Sequence, residues 1–308
     1  MDILRNPALY SVHPDAKIGN NARIGNFTVI HEDVEIGDNV LIHGNVTIFP
    51  GARIGDNVTI FPGAVVSAIP QDLKYRGEKT YAYVGSGTTL RECVTVNKGT
   101  ASKGETRVGE NCLLMAYTHV AHDCRLGNGI IISNASQLGG EVVIDDNAVI
   151  GGGSLIHQFC HLGKGIMLQG GALVNKDIPP YVKAAREPIS YVGLNSVGLH
   201  RHGYKQEEID IIAATYRILY LSDLNVSNAV KLILERVPTH PLRDEIIDFV
   251  TNSRLSAFKR PPRTPRPHPS PPRDRHIPHF RLYLYRQAHP TETQMTKRRS
   301  TLRVPRRF

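Results

Sequence analysis

The chain has 308 residues, 41% of them hydrophobic, with no tryptophan and a formal net charge of +9. The charge is concentrated at one end: residues 252–308 carry 15 Lys/Arg against 2 Asp/Glu, which leaves 22 basic and 26 acidic residues, a net of −4, before them. A mildly acidic body argues against a nucleic-acid partner, four cysteines in a chain this long argue against a disulfide scaffold, and no run approaches the roughly eighteen apolar residues of a membrane span.

Met1 to Ala16 includes Asp2, Arg5, Asn6, Pro7, His13 and Pro14 and has no apolar core segment. No secretory signal is expected, and the cytoplasm is the expected compartment.

From Ala16 onward internal repetition dominates the chain. Ile18, Ile24, Ile30, Ile36, Ile42, Ile48, Ile54, Ile60 and Val66 succeed one another at six-residue steps, and Val84, Leu90 and Val96 resume the phase. From Val108 it runs through Leu114, Val120, Leu126, Ile132, Leu138, Ile144, Ile150, Ile156, Leu162 and Leu168 to Val174. Two positions earlier lies a column of small or short-branched residues such as Ala16, Ala22, Thr28, Val34, Ala52 and Ala64. A helix repeats at about 3.6 residues and a strand at about 2. A period of six with this companion column resembles the hexapeptide repeat of the left-handed parallel β-helix. Each hexapeptide supplies a short strand and a corner, three complete a triangular coil, and coils stack at roughly 4.8 Å.

Residues 68–80 (AIPQDLKYRGEKT) and 98–107 (KGTASKGETR) interrupt the pattern, with no apolar residue at positions 72, 78 and 102. Both are expected to be loops projecting from the coil, the first a flap over a site because it gathers Asp72, Lys74 and Arg76. The repeat stops at DIPPYVKA. Ile209, Ile212, Ala213, Tyr216 and Leu219 then form a helical stripe within 205–222, and 227–236 and 241–251 predict two more helices, with Ser227 as an N-cap. The expected fold class is mainly β: a left-handed parallel β-helix over 8–182 followed by a small α-helical C-terminal domain over 183–253. Residues 254–308 hold half of the chain's 20 prolines and have no periodicity. They read as a disordered, foreign terminus rather than as a basic arm for an acidic partner.

The chemistry centres on THVAHDC, residues 118–124. Positions one coil apart stack, so His122 leads to Gly140 and then Gln158, with Glu141 and His157 beside them. This outward ladder spans about 10 Å over two steps. A lone histidine in a corner is most often a surface residue, but here the polar ladder and Asp123 favour a functional one. Imidazole suits proton removal from a hydroxyl near neutral pH, and Asp123 can orient it if His122 sits at a corner, since adjacent strand residues diverge. The N–H of Gly140 is a candidate oxyanion donor. Zinc on His119 and His122, with a third histidine from a neighbouring subunit, is the rival chemistry, and the spacing alone supports it weakly. Cys112, Cys124 and Cys160 fall in the inward small-residue column and read as core fillers.

IPQDLKY, RECVTVNKGT, HVAHDC, GGGSLIHQFC, KDIPPYV and GLNSVGLHRHGY, in this order over residues 8–253, resemble the UDP-N-acetylglucosamine O-acyltransferase family. The resemblance implies transfer of an (R)-3-hydroxyacyl chain from acyl carrier protein to the sugar 3-hydroxyl, the first step of lipid A synthesis. It also implies a homotrimer with sites between subunits, and no cofactor or metal. Position by position it makes His122 the general base, Asp123 its acidic neighbour and Gly140 the oxyanion donor. It assigns Asp72 and Lys74 to the sugar nucleotide, and His119, Glu141, His157 and Gln158 to the pocket. Asn195 and Arg201 fall near nucleotide and donor, and Gly170 at the position that measures acyl length. Gly170 lies on a different edge from His122, which agrees with a site shared between subunits. Asn97 and Glu141 stand where histidines are usual, His202 where arginine is frequent, and Val197 where an acidic residue is common.

The related N-acyltransferase of the same pathway carries an extra N-terminal domain, whereas here the hexads begin by Ala16. A coenzyme A-dependent acetyltransferase, an inactive hexapeptide scaffold and a zinc protein are the further alternatives.

Overall fold

The computed structural model describes residues 9–253. The six-residue period becomes strands of mostly two residues in three parallel sheets, one per side of a triangular coil. Among the described residues, sheet A has nine strands, from Ser11–Val12 to Leu173–Val174. Sheet B has eight, from Lys17–Ile18 to His161–Leu162. Sheet C has ten, starting at Arg23–Ile24. The fold is a left-handed parallel β-helix with a small helical C-terminal part, as the hexads predict.

The branched residue of each hexad fills the interior. Ile42, Ile60, Leu90, Val120, Ile132, Ile150 and Leu168 are wholly shielded, and the companion column adds Val34, Val58, Ala64, Val94 and Cys160. Each buried aliphatic side chain contributes about 1.5–3 kcal/mol, so the stack is held by a continuous column rather than by one central core. The corners use left-handed backbone at the same period: Asn21, Asp33, Asn39, Asn111, Asp123 and Asn147 all have φ between 50° and 62°. That conformation costs most residues about 1–2 kcal/mol, which explains the Asn, Asp and Gly three places after the apolar residue.

Register explains why the interruptions leave the phase intact. Ile30 pairs with Ile48 and Ile48 with Val66, one coil of eighteen residues each; Val66 then pairs with Val96, and Val96 with Val120. The two enlarged coils therefore add twelve and six residues, whole hexads in both cases. The extra chain forms loops 69–80 and 98–104, both leaving sheet A towards sheet B and thus sharing the A–B corner.

Above the last coil, Val182–Ala185 extends sheet C in parallel with Met167–Leu168, and Ser190–Leu194 folds back on it antiparallel. Four helices come next: α1 Ser196–Arg201, α2 Gln206–Leu221, α3 Val226–Arg236 and α4 Pro241–Asn252. Ile212, Tyr216, Ala229, Ile233 and Ile246 form their core. Tyr216 donates its hydroxyl to the Pro180 carbonyl at 2.6 Å, and Phe249 packs on His161 with ring centroids 4.6 Å apart, so the helices seat on the end of the coil. The N-cap of α3 is Asn225, which accepts from the Asn228 N–H, and not Ser227: the cap lies two residues earlier than the apolar pattern suggests. The expected disordered tail, 254–308, lies outside the described residues.

Candidate active site

Sheet A ends His119–Val120 at the A–B corner, and the turn after it presents His122. Asp123 takes the left-handed corner conformation (φ 62°), which brings two adjacent side chains together. His122 Nδ1 lies 2.8 Å from Asp123 Oδ2. The Asp123 side chain is wholly buried, while that of His122 keeps 19% of its surface exposed. The carboxylate is held by two further donors from the 98–104 loop: the Thr100 N–H reaches Oδ1 at 2.9 Å and the Thr100 hydroxyl reaches Oδ2 at 2.7 Å. The Asp123 N–H donates to Thr106 Oγ1 at 2.8 Å. A buried carboxylate with three donors orients its histidine firmly. With Nδ1–H donating to Asp123, Nε2 is left as the proton acceptor.

Gly140 lies directly against that imidazole. A Cβ at position 140 would fall 2.5 Å from Cε1 and 2.7 Å from Nε2 of His122, so only glycine leaves the ring its place. The Glu141 N–H donates to the His122 carbonyl at 3.0 Å, fixing the next coil under the site. The Gly140 N–H has no partner among the described residues. At the corner after sheet B, the corresponding N–H groups of Asn20, Asp38, Glu110 and Asn128 are capped by side chains of the next coil. The stack His122–Gly140–Gln158 matches the predicted ladder, with Gln158 backbone against Gly139.

His119 lies on the strand leading into the corner, its Nδ1 2.7 Å from Thr95 Oγ1. Burial, with help from the nearby His122, pushes its pKa below the usual histidine value, so it is a neutral hydrogen-bonding group. His157 is exposed, with Nδ1 3.0 Å from the Gln158 carbonyl. Glu141 is engaged by the 98–104 loop: the Ser102 hydroxyl donates to Oε1 at 3.0 Å and Lys103 Nζ stands 3.9 Å from Oε2. Cys124 is buried behind the corner, and desolvation raises its thiol pKa to about 12, which removes it as a nucleophile.

Known proteins share this architecture. The hexapeptide model of bacterial transferases (six repeats) matches residues 15–50 and 105–140. The model described as Udp N-acetylglucosamine O-acyltransferase, domain 2, matches residues 177–258. The acyl-[acyl-carrier-protein]–UDP-N-acetylglucosamine O-acyltransferase of Myxococcus xanthus is 42% identical over 244 residues, spanning 79% of this chain and 95% of its own. The chain belongs to the UDP-N-acetylglucosamine O-acyltransferase family. The same-named protein of Chlorobaculum parvum is 49% identical over 249 residues, 78% of this chain and 93% of its own. The UDP-N-acetylglucosamine acyltransferase of Bacteroides fragilis superposes with a TM-score of 0.81 at 49% identity, covering 83% of this chain and all of that one. That of Arabidopsis does so with a TM-score of 0.74 at 28% identity, over 82% of this chain and 99% of its own.

The remaining residues that the family resemblance singles out fall in two groups. Asp72 and Lys74 are on the 69–80 loop, at the corner of His122; Asp72 Oδ1 accepts from the Lys74 N–H at 2.9 Å and the Lys74 side chain is exposed. Asn97 ties this loop down by donating to the Ile69 carbonyl at 2.7 Å. Gly170, Asn195 and Arg201 are not brought to His122 within one chain. Gly170 comes after Met167–Leu168 at the C–A corner, where a Cβ would meet the Gly152 carbonyl at 3.2 Å. Asn195 caps α1 and donates to the Gly165 carbonyl at 3.0 Å, beside the B–C corner; Arg201 ends that helix, exposed. Val197 is exposed on α1 and His202 is its C-cap. Thr100, Thr106 and Thr95 are the site residues that pattern reasoning missed: hydroxyl residues in loops and strands carry no spacing signal.

Proposed function

We propose that the chain transfers an (R)-3-hydroxyacyl group from acyl carrier protein to the 3-hydroxyl of UDP-N-acetylglucosamine, the opening step of lipid A synthesis. The curated relatives that align over most of the chain bear the O-acyltransferase name, so the N-acyltransferase and zinc alternatives are not retained. The observation that carries the mechanism is the buried Asp123 carboxylate on His122 Nδ1, which leaves Nε2 open beside the unpaired Gly140 N–H. His122 Nε2 removes the proton of the sugar hydroxyl as its oxygen attacks the thioester carbonyl carbon. The oxyanion of the tetrahedral intermediate accepts the Gly140 N–H. Collapse breaks the C–S bond, and the imidazolium returns its proton to the departing sulfur, giving ester and free thiol. General-base assistance of this kind is worth about 10²–10⁴-fold. His122→Ala is expected to lose that factor in kcat with its fold intact; near-full transferase activity in that variant refutes the assignment.

The active form is a homotrimer. Two features support this. The outward columns of sheets A and C carry Val29, Leu155 and Leu173, and Ile131 and Met167, all exposed on one chain, while that of sheet B carries Lys17, Glu35, Arg53, Arg107 and Arg125. Exposed apolar columns on two sides of a prism suit burial around a three-fold axis. Residues that the family uses together also lie at three different corners, so one chain holds only part of a site. A mass of three chains by light scattering tests this. The partners are then acyl carrier protein and the nucleotide sugar, no cofactor is required, and the cytoplasm is the compartment. Among the described residues no helix is long and apolar enough to cross a membrane.

A further inference from the structure

The 98–104 loop touches the site at two levels. At its first end Thr100 gives two hydrogen bonds to the buried Asp123 carboxylate. Two residues on, the Ser102 N–H donates back to Thr100 Oγ1 at 3.1 Å, and the Ser102 hydroxyl donates to Glu141 one coil further along. Lys103 adds its charge to the same carboxylate. Asp123 and Glu141 are stacked corner residues with the same left-handed backbone (φ 62° and 58°), and the loop bridges them from outside. The hydrogen bond and ion pair of the Glu141 carboxylate run to this loop rather than to the imidazole. We propose that Glu141 is a positioning residue: by holding Ser102 and Lys103 it pins the 98–104 loop, through which Thr100 fixes Asp123 and hence the His122 ring. This rests on His122 being the base, and it gives Glu141 a different duty from the substrate contact that its family position implies.

The charged and titratable groups around His122 are Asp123 on its own corner, His119 on the preceding strand, and Glu141 with Lys103 from the coil and loop beside it. Removing the Thr100 hydroxyl leaves the Asp123 carboxylate a stronger acceptor for the imidazolium proton. The acid limb of the rate profile must therefore move to higher pH.

The experiment is steady-state transferase kinetics against pH with the full chain, using Thr100→Val, Thr100→Ser, Glu141→Ala, Glu141→Gln and the Thr100→Val/Glu141→Ala double variant. Thermal unfolding checks that each is folded. Thr100→Val is expected to lower kcat roughly 10- to 100-fold, the range spanned by one charge-assisted hydrogen bond. KM for both substrates stays within about twofold, the acid limb shifts upward, and Thr100→Ser restores both. Glu141→Ala lowers kcat, and Glu141→Gln, whose amide oxygen still accepts from Ser102, rescues it. The double variant is no slower than Thr100→Val alone, because both changes break one path. The proposal is overturned if Glu141→Ala raises KM for the sugar nucleotide at unchanged kcat and multiplies with Thr100→Val, which makes it a substrate contact. It is equally overturned if Thr100→Val leaves kcat and its pH profile untouched. Either result leaves His122 as the base if His122→Ala is inactive; an active His122→Ala protein refutes the mechanism itself.

Discussion

Replacing Gly140 by alanine perturbs the site where it is tightest. The new Cβ lands 2.5 Å from Cε1 and 2.7 Å from Nε2 of His122, where carbon contacts settle at about 3.5–4.0 Å. The ring must retreat by about 1 Å, against its bond to Asp123 at 2.8 Å. The obstacle is the far end of one side chain, so the main chain can stay, and the stiffer unfolded chain of an alanine variant offsets part of the cost. Stability should change by less than about 1 kcal/mol. Activity should not survive so well, since a reacting group misplaced by 1 Å costs on the order of 10²-fold. Thiol release from an acyl carrier protein thioester, measured with UDP-N-acetylglucosamine in excess and paired with thermal unfolding, separates the two effects. The variant keeps its Gly140-position N–H, so a loss reports on the imidazole. A Gly140→Ala protein with more than half the parental kcat would falsify the placement of the base.

Three other outcomes are expected from the geometry. His119 has a folded pKa below its unfolded value of 6.5, so its contribution is complete above that value and fades as pH falls below it; unfolding midpoints should drop from pH 7 to 5, and less steeply in His119→Gln. Ala135 holds left-handed backbone (φ 60°) without an Asn or Asp side chain, and Ala135→Gly should raise unfolding free energy by about 0.5–1 kcal/mol in urea titrations. Cys124 and Cys160, with thiols pushed up to about 12 by burial, should resist iodoacetamide at pH 8 until the protein is denatured, as mass spectrometry of labelled peptides will show.

The coil was legible because its period is enforced by geometry: every sixth residue must fill the interior, and even the two loops respect the phase by adding whole hexads. The strands over 182–185 and 190–194 were not, because Met167 pairs with Lys183, sixteen residues on, and the slip of two hides the strand from any six-residue count. Short α1 escaped because six residues leave no room for a helical stripe. At the site, the stacking of positions one coil apart was enough to put Gly140 on His122. It could not show that Asp123 is buried by Thr100, since the loop that carries Thr100 departs from the repeat on which the stacking depends. The left-handed column of Asn, Asp and Gly was readable in principle, and it would have put Asp123 and Glu141 at equivalent corners from the sequence alone.

The enlarged coil that carries Thr100 is twenty-four residues long where the coil that follows it needs eighteen. Excising one hexad would let the chain close the corner directly, with every interior residue of the coils above still in phase. The scaffold is therefore indifferent to the segment that steadies its general base. In a lineage, such a segment can be gained or lost in a single six-residue event, so catalysis on this prism can be tuned by indels of fixed size without renegotiating the core.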